Sequence, residues 1–362
     1  MQYTSKDFLG EMAHYFGLES KLIAQQLNIR TDNYQLYNEA AELDEDELYT
    51  KNMLSVNDLV RIESDTTYKI HKGYPSPRSI YPLKMFISLG NHQFVSKDDT
   101  QERYMYYYNS NINAETGDIL IEFTNKYPSY YMNIKKSLLI LEMGHFLFNI
   151  TKTAELLGSK YKLIDINHHI HLRRIKKPSN QVEYKKLLNF KMKCKYRNSG
   201  PFLYPITNVN PKIIHKSYSF KDETNDHFNH LEQLINIDDI RNQVKIIPYI
   251  NRGNGIFESP SNEEGPRIHY MKLNKTHPYI NFIGVSFFVV FLINHNVFQS
   301  EKATQYILSL GYLSQMISLN HSSESQYCRP IKSYDIELLE SLLSLDTSQF
   351  TPYYCLISGT VE

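Results

Sequence analysis

Lys126 and Tyr127, adjacent in "DILIEFTNKYPSYYMNIKK", carry side chains that can hold and move a proton. A lysine acts as a base only when burial or a neighbouring cation lowers its pKa. The apolar "DILIEF" just before it is a setting that can bury it, and the tyrosine can then orient a substrate or relay the proton. By composition alone the same "NKYP" reads as a polar turn punctuated by Asn125 and Pro128.

A second group is "PSPRS", where Ser76 and Ser79 stand among successive backbone amides and Arg78 offers a planar fork. Such a loop can hold a phosphate or a ring carbonyl, although Arg78 equally reads as an exposed loop arginine. A third is "NHHIHL", in which His169 and His171 share one face of a strand beside His168. No third ligand type stands near them, so the stretch reads as a surface strand and no metal site is expected. Cys194, Cys328 and Cys355 are far apart and form no CxxC, which argues against a disulfide framework or zinc cluster and for a reducing cytoplasm.

The elements that must position these groups come from a chain of 362 residues, enough for two ordinary domains or one large one. With 39 basic and 39 acidic residues, no overall field favours nucleic acid or an anionic membrane. The first twenty or so residues carry charges from Lys6 onward and lack the pattern of a signal peptide. The longest apolar run, "YINFIGVSFFVVFLI", is too short to span a bilayer and reads as a buried strand.

Slid along itself without a gap, the chain shows a repeat. Gly117 falls on Gly284, Lys135 on Lys302, Gly144 on Gly311 and Ile164 on Ile331. The competing explanation is chance similarity of two tyrosine-rich, strand-rich stretches; the matched glycines and ordered blocks favour duplication. Each copy carries a helix too densely apolar for the surface, "NIKKSLLILEMGHFLFNITKTAELLG" in the first. Asn133 and Ser300 are placed to cap these helices and Gly158 to end the first. Gly144 and Gly311 sit mid-helix, where glycine is unfavourable unless two helices must approach closely. His145 reads as a packed helix residue.

Four stretches follow: an N-terminal helical segment over 1–62, a first copy over 63–185, a basic connecting segment over 186–243 and a second copy over 244–362. The acidic "ELDEDE" reads as a solvated face.

The blocks "YPSPRSIYPLKMF", "RYMYYYNSN", "NKY" and "LLILEMGHFLFNI", in that order, resemble the SagB-type azoline dehydrogenase branch of the nitroreductase-like flavoproteins. The matching residues are Pro75, Ser76, Tyr81 and Pro82, then Lys126 and Tyr127, then Glu142, Gly144, His145 and Asn149. The resemblance covers 54–166 and, more weakly, 244–360, where "CRPIKSYDIELLESLLSLD" and "TPYYCLISG" look like the closing loop, helix and strand. It departs in lacking the arginine-rich phosphate motif, in having Phe148 where the branch has glutamine, and in four added residues between dyad and helix. The second copy keeps Gln315 but has Ile293-Asn294 at the dyad's place.

What the resemblance implies is an α+β, duplicated nitroreductase-like fold of antiparallel sheets around central helices. It further implies FMN held between the copies by Ser76, Arg78, Ser79 and Tyr81 with Arg329 and Lys332, and Lys126 and Tyr127 as the catalytic pair. The activity implied is oxidation of azolines to azoles in a ribosomally made precursor peptide, with cyclodehydratase subunits as possible partners and a pseudo-dimer within the chain, or a homodimer. Two alternatives stay open: an NADPH-using flavin reductase of dehydroamino acids in a lanthipeptide, and a flavin-free scaffold of a peptide-modification complex.

Overall fold

The structure is a computed structural model that describes residues 34–40, 47–62, 70–98, 103–124, 135–166, 169–178, 182–196, 220–253, 255–260, 266–277, 280–322, 326–332, 334–346 and 348–360. The elements up to the first long helix are β1 (Gln35–Ala40), α1 (Leu48–Leu54), β2 (Leu59–Ile62), β3 (Ile70–Lys72), β4 (Leu83–Gly90), β5 (Gln93–Lys97), β6 (Tyr104–Tyr108), β7 (Ile119–Phe123) and α2 (Lys135–Leu156). Then come β8 (Lys160–Asp165), β9 (Ile170–Lys176), α3 (Tyr184–Tyr196), α4 (Phe220–Ile235) and α5 (Ile240–Gln243). The remainder is β10 (Val244–Asn251), β11 (Ile256–Glu258), β12 (Ile268–His269), α6 (Tyr270–Thr276), β13 (Phe287–Asn294), α7 (Ala303–Asn320), β14 (Gln326–Ile331), α8 (Ile336–Leu343) and β15 (Phe350–Thr360).

Two antiparallel sheets carry the fold, ordered β1-β6-β5-β4-β7-β9-β8 and β12-β11-β10-β13-β15-β14. Leaving β1 aside, the six strands of the first sheet and the six of the second stand in the same chain order, and α2 and α7 each follow the fourth strand of their set. The "FFVVFLI" run is β13, bonded to β10 on one side and β15 on the other and buried along its length. Burial on both faces is what its unbroken β-branched and aromatic sequence requires.

The two long helices lie against one another and are buried on nearly every side, in keeping with their dense apolar pattern. Glycine permits the approach. A Cβ on Gly144 would stand 2.1 Å from the Leu308 carbonyl oxygen, and one on Gly311 would stand 2.1 Å from that of Leu141. Gly158, at φ +74°, ends α2 in the left-handed conformation while the Ser159 N–H closes on the Ala154 carbonyl. Asn133 lies outside the described residues. Ser300 does not cap α7: the residue before the helix is Lys302, with no side-chain cap bond, and the Ser300 hydroxyl accepts from the Lys302 N–H at 3.1 Å, outside the helix.

Three local expectations need correction. The stretch read as helical after residue 34 contains strand β1, laddered on β6 from Gln35↔Tyr108 to Ala40↔Tyr104, as well as the short α1 and strand β2. That ladder, not local propensity, decides β1, whose own residues are mostly exposed. The basic stretch 186–243, read as a connector, holds most of helix α3 and all of α4. Leu187 and Cys194 of α3, and Phe228, Leu231 and Leu234 of α4, are buried, so these helices belong to the packed body.

His171 is the third correction. It is buried, and its Nε2 lies 2.8 Å from Asp118 Oδ2. Burial pushes the Asp118 carboxyl up, but hydrogen bonds from His171 and from the Arg174 and Glu115 amides outweigh it and hold the carboxyl below its ordinary range.

Candidate functional site

The segment from Lys72 to Tyr81 leaves β3, makes a 3-10 turn over Pro77–Ser79 and enters β4. Ser79 at φ +54° and Tyr81 at φ +46° are both left-handed. For a non-glycine residue such a backbone costs of order 1–3 kcal/mol and persists only where the surroundings impose it. At Tyr81 they do. Its N–H donates to Ser76 Oγ at 2.8 Å, its hydroxyl accepts from the Lys72 N–H at 2.9 Å, and its ring meets Tyr74 edge-on at 5.4 Å.

Ser76 in turn donates to Glu142 Oε2 on α2 at 3.0 Å, which ties the turn to the central helix. Lys72 Nζ and the Tyr74 hydroxyl both donate to Asn57 Oδ1 at 3.0 Å, and the ammonium lies 5.6 Å from the Tyr81 ring centroid. Lys72, Tyr74 and Asn57 are buried.

Where this segment starts, the Gly73 carbonyl accepts from Asn149 Nδ2 of α2 at 2.9 Å and from Gln315 Nε2 of α7 at 2.8 Å. Gln315 Nε2 also donates to Asn149 Oδ1 at 2.9 Å. Those two donations fix which end of the Gln315 amide is nitrogen, so its Oε1, 2.9 Å from His145 Nδ1, accepts a proton that Nδ1 carries. In the neutral ring His145 Nε2 then accepts from the Tyr354 hydroxyl at 3.0 Å. On the other side of the crossing Tyr312 packs on Phe148 with ring centroids 5.0 Å apart, and its hydroxyl meets Thr151 Oγ1 at 3.2 Å. One side of the helix pair is therefore polar and hydrogen-bonded, the other mainly aromatic.

Arg329 is half-buried on β14. Lys332 follows that strand, buried, with Nζ donating to the Tyr353 carbonyl at 2.7 Å and 3.2 Å from the Tyr353 ring centroid. Burial pushes the neighbouring Cys355 thiol up, opposed by a hydrogen bond from Tyr334 and by the Lys332 charge. The Arg78 backbone lies in the 3-10 turn, and its side chain is outside the described atoms. Lys126 and Tyr127 lie outside the described residues.

The structure thus brings Ser76, Ser79 and Tyr81 together in one turn and Arg329 and Lys332 together at the end of β14. Hydroxyls and cations of these kinds suit a phosphate and the polar edge of a flavin ring. Ser76, Tyr81 and Lys332, however, direct hydroxyl or ammonium to protein atoms, and Ser79 and Arg329 are half-buried. Sequence reasoning passed over Asn57, Lys72 and Tyr74, and it noted Gln315 and Asn149 without linking them to Gly73. A glutamine and an asparagine in otherwise apolar helices were the available signal.

No family model matches the sequence, and no curated protein matches it. Among solved structures, the chain is similar to the crystal structure of a "putative nitroreductase" from Anabaena variabilis, with a TM-score of 0.68 and 11% identity. The match covers 95% of this chain and 99% of that one. The fold is nitroreductase-like. Among the described residues no helix is long and apolar enough to cross a membrane, and no group of three or more His, Cys, Asp or Glu residues could hold a metal ion.

Proposed function

We propose that the chain is an FMN-dependent oxidoreductase that oxidises azolines to azoles in a ribosomally synthesised peptide. The observation that carries this reading is the likeness to a nitroreductase fold over 95% of the chain. The equal strand order of the two sheets supports a duplicated chain forming a pseudo-dimer within itself, with 63–185 and 244–362 as its copies. FMN, when bound, supplies the oxidising power.

The chain's own residues supply the rest. Removing the azoline Cα proton needs a base, assigned to Lys126, and a group that orients the ring or relays the proton, assigned to Tyr127. Arg78, Ser79 and Arg329 are assigned to the cofactor, with Ser76 and Tyr81 shaping the turn that carries Ser79 and Lys332 held on the Tyr353 carbonyl. The partners proposed are the precursor peptide and cyclodehydratase subunits, in the cytoplasm.

A second reading, a flavin-free scaffold, is favoured by one observation: Ser76, Tyr81 and Lys332 are occupied by protein atoms. FMN titration of the purified protein separates the two. A yellow, reconstitutable protein supports the enzyme, and a colourless one that takes up no FMN leaves the scaffold. Mass gain on a dehydroalanine peptide with NADPH, without mass loss on an azoline peptide, would move the assignment to the reductase alternative.

A further inference from the structure

We infer that Gln315, on the helix of the second half, is a positioning residue for the 73–82 loop of the first half, so that the loop takes its place only when both halves are present. The inference rests on the reading above for what the loop binds, but not for how it is held.

Three observations carry it. The Gly73 carbonyl follows β3 at the start of the loop and takes one hydrogen bond from each central helix, through Asn149 and through Gln315. Gln315 cannot rotate its amide without losing both donations, because His145 Nδ1–H occupies its Oε1 and Tyr354 occupies the far side of that imidazole. The backbone is closely packed there as well: a Cβ on Gly73 would stand 3.0 Å from Cys194 Cβ and 3.4 Å from Asn149 Nδ2, so the position has little room for a side chain.

The repeat sharpens the point. In the gapless alignment that sets Gly144 on Gly311, Gln315 falls opposite Phe148, and Phe148 packs on Tyr312 with no such polar linkage. The amide is therefore present on the side of the crossing that faces the loop and replaced on the other. A residue kept only to fill the helix interface would serve as well on either side. Through β15, which carries Tyr354, the same chain of bonds connects the second sheet to the loop.

The test is hydrogen exchange of the full chain, read by mass spectrometry over 73–82 with 287–293 in β13 as internal reference. FMN titration and thermal melting accompany it. Gln315→Met should raise exchange over 73–82 by tenfold or more and leave 287–293 unchanged. Gln315→Glu, which keeps an acceptor for His145 but loses the donor to Gly73, should behave like Gln315→Met. If it behaves like wild type, the His145 contact alone matters and the inference falls. Tyr354→Phe, which deletes no atom at Gly73, should give a smaller rise in the same segment and keeps the test decisive if Gln315→Met does not fold.

Faster loop exchange with FMN affinity reduced tenfold or more supports both the positioning role and the flavin reading. Faster loop exchange in a protein whose wild type takes up no FMN supports the positioning role and removes the flavin reading. An unchanged loop, or an equal rise in 287–293, overturns the positioning role whatever FMN does.

Discussion

Gly144 and Gly311 meet at the crossing of α2 and α7, where a Cβ on Gly144 would come within 2.9 Å of the Gly311 Cα. The obstacle on each side is mainly backbone, Leu308 O for Gly144 and Leu141 O for Gly311, so neither a rotamer change nor a small shift relieves it. Gly144→Ala and Gly311→Ala should each cost roughly 1–3 kcal/mol, the range for overpacking a closed core, or more. The urea midpoint of unfolding measures this. The double substitution should fall short of the sum, because the first forces apart the helices that the second would clash with. A midpoint unchanged by Gly144→Ala would show that the helices are not in backbone contact.

Ser76→Ala should not be neutral for folding, because its hydroxyl serves both Glu142 and the Tyr81 N–H. Leaving partly buried partners unsatisfied costs roughly 1–3 kcal/mol. The expected result is a lower melting temperature together with faster exchange at the Tyr81 amide. A variant as stable as wild type, with Tyr81 still protected, would contradict the clasp.

Two buried histidines should make the protein acid-labile. Burial pushes His277 down to about 3 and His321 down to about 4, the latter helped by the charge of Lys193. In the unfolded chain both titrate near 6.5, so from there down to their folded values the unfolded state binds more protons and stability falls with pH. Asp118 adds to this from below: its depressed carboxyl contributes stability present above the unfolded value and lost as pH falls through the folded one. At pH 5.5 each histidine should cost on the order of 1 kcal/mol. Melting temperatures at pH 7.5 and 5.5 should differ less in His277→Gln than in wild type, and equal differences would remove His277 from the account.

All three cysteines are buried thiols outside any disulfide, and burial pushes the Cys355 thiol up. The native protein should therefore react with Ellman's reagent far more slowly than the denatured chain, in which all three thiols are reached. A rapid native thiol would mean that β14 and β15 open readily.

The parts of the fold legible in the sequence are those set by local pattern. The buried run at β13, the dense apolar helices α2 and α7, their mid-helix glycines and Gly158 all follow from periodicity and backbone chemistry. What escaped depends on residues distant in the chain. Strand β1 is mostly exposed and takes its form from a ladder with Tyr104–Tyr108. His171 gives no local sign that Asp118 will bury with it. The lysine-rich α3 reads as a connector until Leu187 and Cys194 are seen to face the core. At the site, the turn at Ser76 was legible from its residue types. The clamp on Gly73 was not, because it joins three segments that meet only once both helices are packed.

The central claim is that this protein oxidises an azoline with Lys126 as the base. The direct measurement is the mass change of an azoline-bearing peptide incubated under air with the FMN-reconstituted protein, beside Lys126→Ala at equal flavin content. Wild type should remove two hydrogens per heterocycle, and Lys126→Ala should be slower by about 10²–10⁴, the usual effect of losing a general base. No mass loss with a flavin-loaded wild type, or equal rates for the two proteins, would contradict the claim.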